Sequence, residues 1–114
     1  MAFLWANKAG TGGSSGEADF EGDLCLEIEV SNCVNAYIYF YERFHTGNQA
    51  FVYNISNTEG HYKVTRKNHL FTVYLNDVQK TSYIKEMEDA QRIGIVLNGE
   101  NATMTFKNMK IYPI

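Results

Sequence analysis

The chain has 114 residues, 14% aromatic and 20% charged, which bounds it to one folded domain and excludes a disordered polymer. Ten Lys and Arg against thirteen Asp and Glu leave a formal charge of −3, and the cations are scattered, so nucleic acid is not an expected partner. No apolar run reaches the roughly 18 residues of a membrane helix, and no basic-then-apolar leader opens the chain, so neither membrane insertion nor a signal peptide is expected.

Residues 2–6 read as a short apolar edge strand, and residues 7–16 (NKAGTGGSSG) as a Gly/Ser loop. These first 16 residues are set apart from a sandwich domain over 17–114. Leu24, Leu26, Ile28 and Val30 alternate with Cys25, Glu27 and Glu29, the pattern of a strand with one buried face. In residues 36–42, Ile38 and Phe40 alternate with Tyr37, Tyr39 and Tyr41. These two strands are expected to pair around a turn near Cys33. Cys25 then lies far from Cys33, and two free thiols are expected rather than a disulfide. A loop at 43–49 leads to a strand at 50–55, and Asn57-Thr58-Glu59-Gly60 turns the chain into 61–67. Residues 70–75 should pair with 78–83 across Asn76-Asp77, and 85–91 is the single helix-like piece.

The tail carries the clearest signal. Ile93, Ile95 and Leu97 alternate with Gly94 and Val96, Asn98-Gly99-Glu100-Asn101 supplies a turn, and Met104 and Phe106 alternate with Thr103 and Thr105. That reads as a hairpin, interrupted at Lys107-Asn108, resumed by Met109 and Ile111 and ended by Pro113. About eight short strands and no substantial helix define an all-β antiparallel sandwich or jelly roll, with a small closed barrel as the alternative. The expected core is Ile38, Phe40, Val73, Leu75, Ile93, Ile95, Met104 and Phe106.

FTVYLNDVQKTSY followed by RIGIVLNGENATMTFKNMKIYPI resembles the closing half of concanavalin A-like, lectin-type β-sandwich modules. Phe106, Asn108 and Ile111 match the F-x-N-x-x-I ending of such modules, and the likeness covers about 71–114. The resemblance implies a jelly-roll sandwich. It also implies the settings where such modules recur: microbial surface adhesins, viral tail and receptor-binding proteins, and sugar-binding appendages of enzymes.

Two stretches carry candidate chemistry. Tyr37, Tyr39 and Tyr41 share one strand face, and Lys63, Thr72 and Tyr74 fall on outward positions of their own strands. Aromatic rings stack on the C–H faces of sugars while hydroxyl and ammonium groups meet their hydroxyls, so these six are the candidate ligand-binding residues. Tyrosines are also strong strand formers and frequent interface residues, so plain structure and a subunit contact remain open beside the glycan face. The second stretch is Glu17-Ala18-Asp19-Phe20-Glu21-Gly22-Asp23. Glu17, Asp19, Glu21 and Asp23 could gather calcium through hard oxygen ligands in a loop, although an EF-hand is excluded because its twelfth position falls on Ile28. The same E-x-D-x-E run resembles the signature of β-jelly-roll glycoside hydrolases, with Glu17 as nucleophile, Glu21 as acid/base and Asp19 between them. A solvated acidic loop is the simplest reading of it. His45, His61 and His69 show no metal-ligand spacing.

The expectation is a non-catalytic, carbohydrate-binding module, extracellular, on a cell surface or on a virion, with no cofactor other than calcium. An assembly protein packing its tyrosine face against copies of itself is the alternative, and a glycoside hydrolase fragment the third reading.

Overall fold

The computed structural model describes residues 2–6, 13–14, 19–20, 22–42, 50–86 and 91–114, with the side chains of 22–40, 51–86 and 93–114. Among the described residues eleven strands follow one another: β1 (Ala2–Ala6), β2 (Gly13–Ser14), β3 (Asp19–Phe20), β4 (Leu24–Val34), β5 (Ala36–Glu42), β6 (Ala50–Asn54), β7 (Gly60–Lys67), β8 (Leu70–Leu75), β9 (Val78–Ile84), β10 (Gln91–Leu97) and β11 (Thr103–Pro113). They form two antiparallel sheets. One has the order β2-β1-β10-β5-β6, with β3 also on β10; the other runs β11-β4-β7-β8-β9. Two separate sheets with a shared apolar filling make a β-sandwich rather than one closed barrel.

Neither expected long-range hairpin forms. β5 pairs with β10 and β6, while β4 pairs with β11 and β7, so the chain changes sheet at Asn35. Asn35 has φ 50, a left-handed conformation that asparagine tolerates better than most residues. The tail behaves alike: β10 lies between β1 and β5 in one sheet, and β11 pairs with β4 in the other. Residues 98–102 therefore bridge the layers, and the Asn98 amide donates to the Asn35 carbonyl at 3.0 Å, tying the two crossings together. The hairpins that do form are local. β7–β8 turns at Asn68-His69 (φ 50 and 66) and β8–β9 at Asn76-Asp77 (φ 50 and 65), both with the paired positive φ of a type I′ turn.

The core is built by alternation. Leu24, Leu26, Ile28 and Val30 of β4, with Tyr62 and Val64 of β7 and Phe71 and Val73 of β8, face Ile38 and Phe40 of β5 and Ile93 and Ile95 of β10. Phe71 stacks on Phe51 with centroids 4.3 Å apart and meets Phe40 edge-on at 5.3 Å. Each such side chain contributes about 1.5–3 kcal/mol by leaving water. Leu75 and Met104 are only partly buried against this cluster, and Phe106 is 37% exposed, contrary to the expected core. Phe106 pairs with buried Val30 and shares its inner face, but β11 is the edge strand of its sheet and leaves the ring partly open. The interruption read at Lys107-Asn108 is a register shift with Asn108 at φ 55, after which Met109 and Ile111 continue the buried row.

Arg66 of β7 is buried to 2% exposure among these apolar neighbours. Its Nη1 donates to the Gly22 carbonyl at 3.3 Å, and its Nη2 lies 3.4 Å from His69 Nδ1. Residues 1–16 are set apart in the sequence reading, yet β1 hydrogen-bonds along β10 and β2 pairs with β1, so both belong to the six-stranded sheet. Of the helix-like stretch, Gln91 begins β10 and residues 87–90 lie outside the described ones.

Candidate functional site

The two outer surfaces of the sandwich hold different chemistry, and the six candidate ligand residues divide between them. On β5, Ile38 and Phe40 are fully buried, so Tyr37 and Tyr39 project from the other side of the six-stranded sheet, where both are half-buried. Tyr41 continues the same alternation, but its side chain lies outside the described ones. Lys63, Thr72 and Tyr74 belong to β7 and β8 of the five-stranded sheet. Because alternation was read strand by strand, it could not show that these strands lie in the other layer. One ligand cannot touch Tyr39 and Tyr74 together.

The trio on the five-stranded sheet is occupied with itself. Lys63 and Tyr74 are direct partners across β7 and β8, and the Lys63 ammonium stands 5.1 Å from the centre of the Tyr74 ring. Thr72 is closed in between Thr65 and Ser82 and is buried.

On the six-stranded sheet the register sets Tyr39 opposite Gly94 of β10 and Val52 of β6, and sets Tyr37 opposite Val96 and Asn54. Across β10, Gly94 pairs with Trp5 and Val96 with Phe3. One row of the sheet therefore reads Trp5, Gly94, Tyr39, Val52, with an aromatic residue on each side of a residue that has no side chain. Gly94 and its outward neighbour Val96 are both buried. The sequence reading missed Phe3, Trp5 and Gly94 because β1 was taken for an edge, and only the pairing of β1 with β10 brings them beside the tyrosines.

Of the four acidic residues of the 17–23 stretch, only Asp23 has a described side chain. Glu17 and Glu21 lie outside the described residues, as does the side chain of Asp19, whose backbone pairs in β3 with Arg92. The Asp23 carboxylate accepts the Asn68 amide at 2.9 Å and so fastens the β7–β8 turn. Among the described residues no group of three His, Cys, Asp or Glu is placed to hold a metal ion.

Glu27, on the outer surface of the five-stranded sheet, joins three polar partners. Its Oε1 lies 2.9 Å from His61 Nε2, its Oε2 is 3.6 Å from the Lys110 ammonium, and it accepts the Tyr112 hydroxyl. Burial alone would raise its pKa. The Tyr112 hydrogen bond and the charges of Lys110 and His61 outweigh burial and hold it below the usual carboxylate value. The Cys25 thiol and the Glu27 carboxylate, with burial, push the Tyr112 phenol far above its ordinary range. Glu29, two residues on, is also held low, by the Asn108 amide at 3.3 Å and by Lys107 at 3.4 Å, against a small desolvation effect.

Cys25 and Cys33 are both free and buried. Eight residues of one strand separate them, about 26 Å at strand rise, far beyond disulfide reach. Comparison with protein-family models, with curated proteins and with solved structures found no match. The class of protein defined by the fold is thus an all-β sandwich, and its function must be argued from its surfaces.

Proposed function

We propose that this chain is a non-catalytic, carbohydrate-binding sandwich module of a microbial surface or tail-type particle protein, with Tyr37 and Tyr39 as its stacking platform. The observation that carries the reading is the row Trp5, Gly94, Tyr39, Val52 across β1, β10, β5 and β6. A sheet face flanked by aromatic residues and notched by glycine offers flat apolar surface to the C–H face of a pyranose. Asn54, beside Tyr37, adds an amide for hydroxyls. The sheet behind it is held by core packing on its inner side, so the platform is rigid before any ligand arrives.

A glycan array with the purified domain tests this, followed by Tyr39→Ala and Tyr39→Phe. Tyr39→Ala should abolish binding with little change in melting temperature. Tyr39→Phe should lose less, since it keeps the ring and drops one hydrogen bond worth about 0.5–1.5 kcal/mol. No binding to any glycan by the native domain would defeat the reading.

One observation favours a second reading, a contact between copies of the chain. Val52, adjacent to Tyr39, is an apolar side chain left 45% exposed. A dimer in light scattering that Val52→Lys dissociates would establish that contact.

A further inference from the structure

On the other side of the sandwich, where β4, β7 and β11 run out of the five-stranded sheet, lies an open trough of about 730 Å³. Glu29, Glu59, His61, Asn76, Phe106 and Lys107 border it. A second depression of about 350 Å³, lined in part by Asn32, Asn57 and Thr58, lies beside it, and Glu59 borders both.

Its groups are held in place by the protein itself. Asn76 Oδ1 accepts the His61 amide at 3.0 Å, which leaves the carboxamide nitrogen to donate elsewhere. The same side chain packs against Gly60, where a Cβ would come within 2.6 Å of its oxygen, so the carboxamide is confined. His61 is steadied by Glu27 at 2.9 Å, and Glu29 by Lys107 and Asn108. Glu59, exposed, keeps its carboxylate available. Phe106, 37% exposed on the edge strand β11, gives the trough an apolar patch.

This set selects a ligand class. Carboxylates at Glu29 and Glu59 oppose a phosphate or another anion. The described residues place no three metal ligands together, and a purely apolar ligand would leave the amide and carboxylates desolvated without partners. Fixed acceptors beside fixed donors suit hydroxyl groups, which donate and accept at once, and the exposed phenyl suits the C–H face of a sugar ring. We infer that the trough is a second carbohydrate site, taking a neutral oligosaccharide. The inference shares only its ligand class with the proposed function, and its residues are separate from Tyr37 and Tyr39. With sites on opposite outer surfaces, one domain would bridge two glycan chains.

Amide-resolved NMR of the intact chain, titrated with cellotetraose, laminaritetraose, maltotetraose and N-acetylated chitotetraose, tests it. At least one should move the amides of Glu59, Gly60, His61, Asn76 and Phe106 in a saturable way. Glu59→Ala and Phe106→Ala should each weaken that binding by about tenfold or more, while Tyr39→Ala leaves it unchanged. Shifts confined to Tyr37, Tyr39 and Gly94 would sustain the tyrosine platform and overturn the trough. Shifts confined to the trough would do the reverse. No saturable shift near Asn76 at millimolar tetrasaccharide, or an unchanged affinity in both trough variants, overturns this inference.

Discussion

Gly60 and Asn76 are interlocked: the glycine takes φ +133, and the asparagine side chain fills the space where a Cβ would stand. The Asn76 amide in turn donates to the His61 carbonyl at 2.8 Å, and its Oδ1 accepts the His61 amide. The start of β7 and the β8–β9 turn are thereby held as one piece. Gly60→Ala should destabilise the fold by about 1–3 kcal/mol in urea denaturation, from contact and backbone strain together. Adding Asn76→Ala would relieve the contact and leave the strain. A double variant no better than the sum of the two singles would show that the contact does not matter.

Burial makes opposite predictions for two phenylalanines. Phe71 is fully buried between Phe40 and Phe51, and Phe71→Ala should cost about 3–5 kcal/mol. Phe106→Ala, at an exposed site, should cost less than about 1 kcal/mol. Chemical denaturation of both variants checks this, and a large loss at Phe106 would show that its ring is buried.

Glu27 makes the fold sensitive to acid. Its folded pKa lies below the ordinary value of 4.5, so its contribution is present above that pH and is lost as pH falls through the folded value. Glu27→Gln should therefore flatten the fall in melting temperature below about pH 4.5. Tyr112 acts in the opposite range. Its folded pKa is raised above 10.0, so its contribution holds below that pH and is lost as pH rises beyond it. Tyr112→Phe should flatten the alkaline limb, and a native-like slope in either variant would dissociate that residue from the effect.

The two thiols should be silent in the native protein. Burial is the leading cause that raises the pKa of Cys25 and of Cys33, and the thiolate is the reactive form. A thiol reagent at neutral pH should label neither until denaturant is added, after which both react. Rapid labelling of the folded chain would show that one of them is open to solvent.

Strand positions were largely legible from alternation. The stretches at Ala36–Glu42 and Leu70–Leu75 have the bounds read from sequence, and Asn76-Asp77 marks the turn it was expected to mark. Partners were not legible. A period of two says which residues share a face, but nothing in Asn98-Gly99 distinguishes a hairpin from a crossing between layers, because either needs a chain reversal with positive φ. Gly99 does have φ +111. The candidate site suffered from the same gap: Tyr39 and Tyr74 each point outward, but from different sheets. Phe106 was misplaced for another reason: alternation gives its face, which it shares with Val30, but not that β11 would be the edge strand of its sheet.

The pairing of β1 with β10 joins residues at the two ends of the chain, whereas β7, β8 and β9 succeed one another as neighbours. Contacts between distant residues must be reached by loop closure, which slows folding and delays it during synthesis. The β7–β9 meander is free to assemble as soon as it has left the ribosome. The six-stranded layer must wait for β10, and until then the inner faces of β4 and β5 stay open to water. A chain stopped before Gln91 would therefore expose Leu26, Ile38 and Phe40 and be prone to aggregate, although most of its sequence is already made.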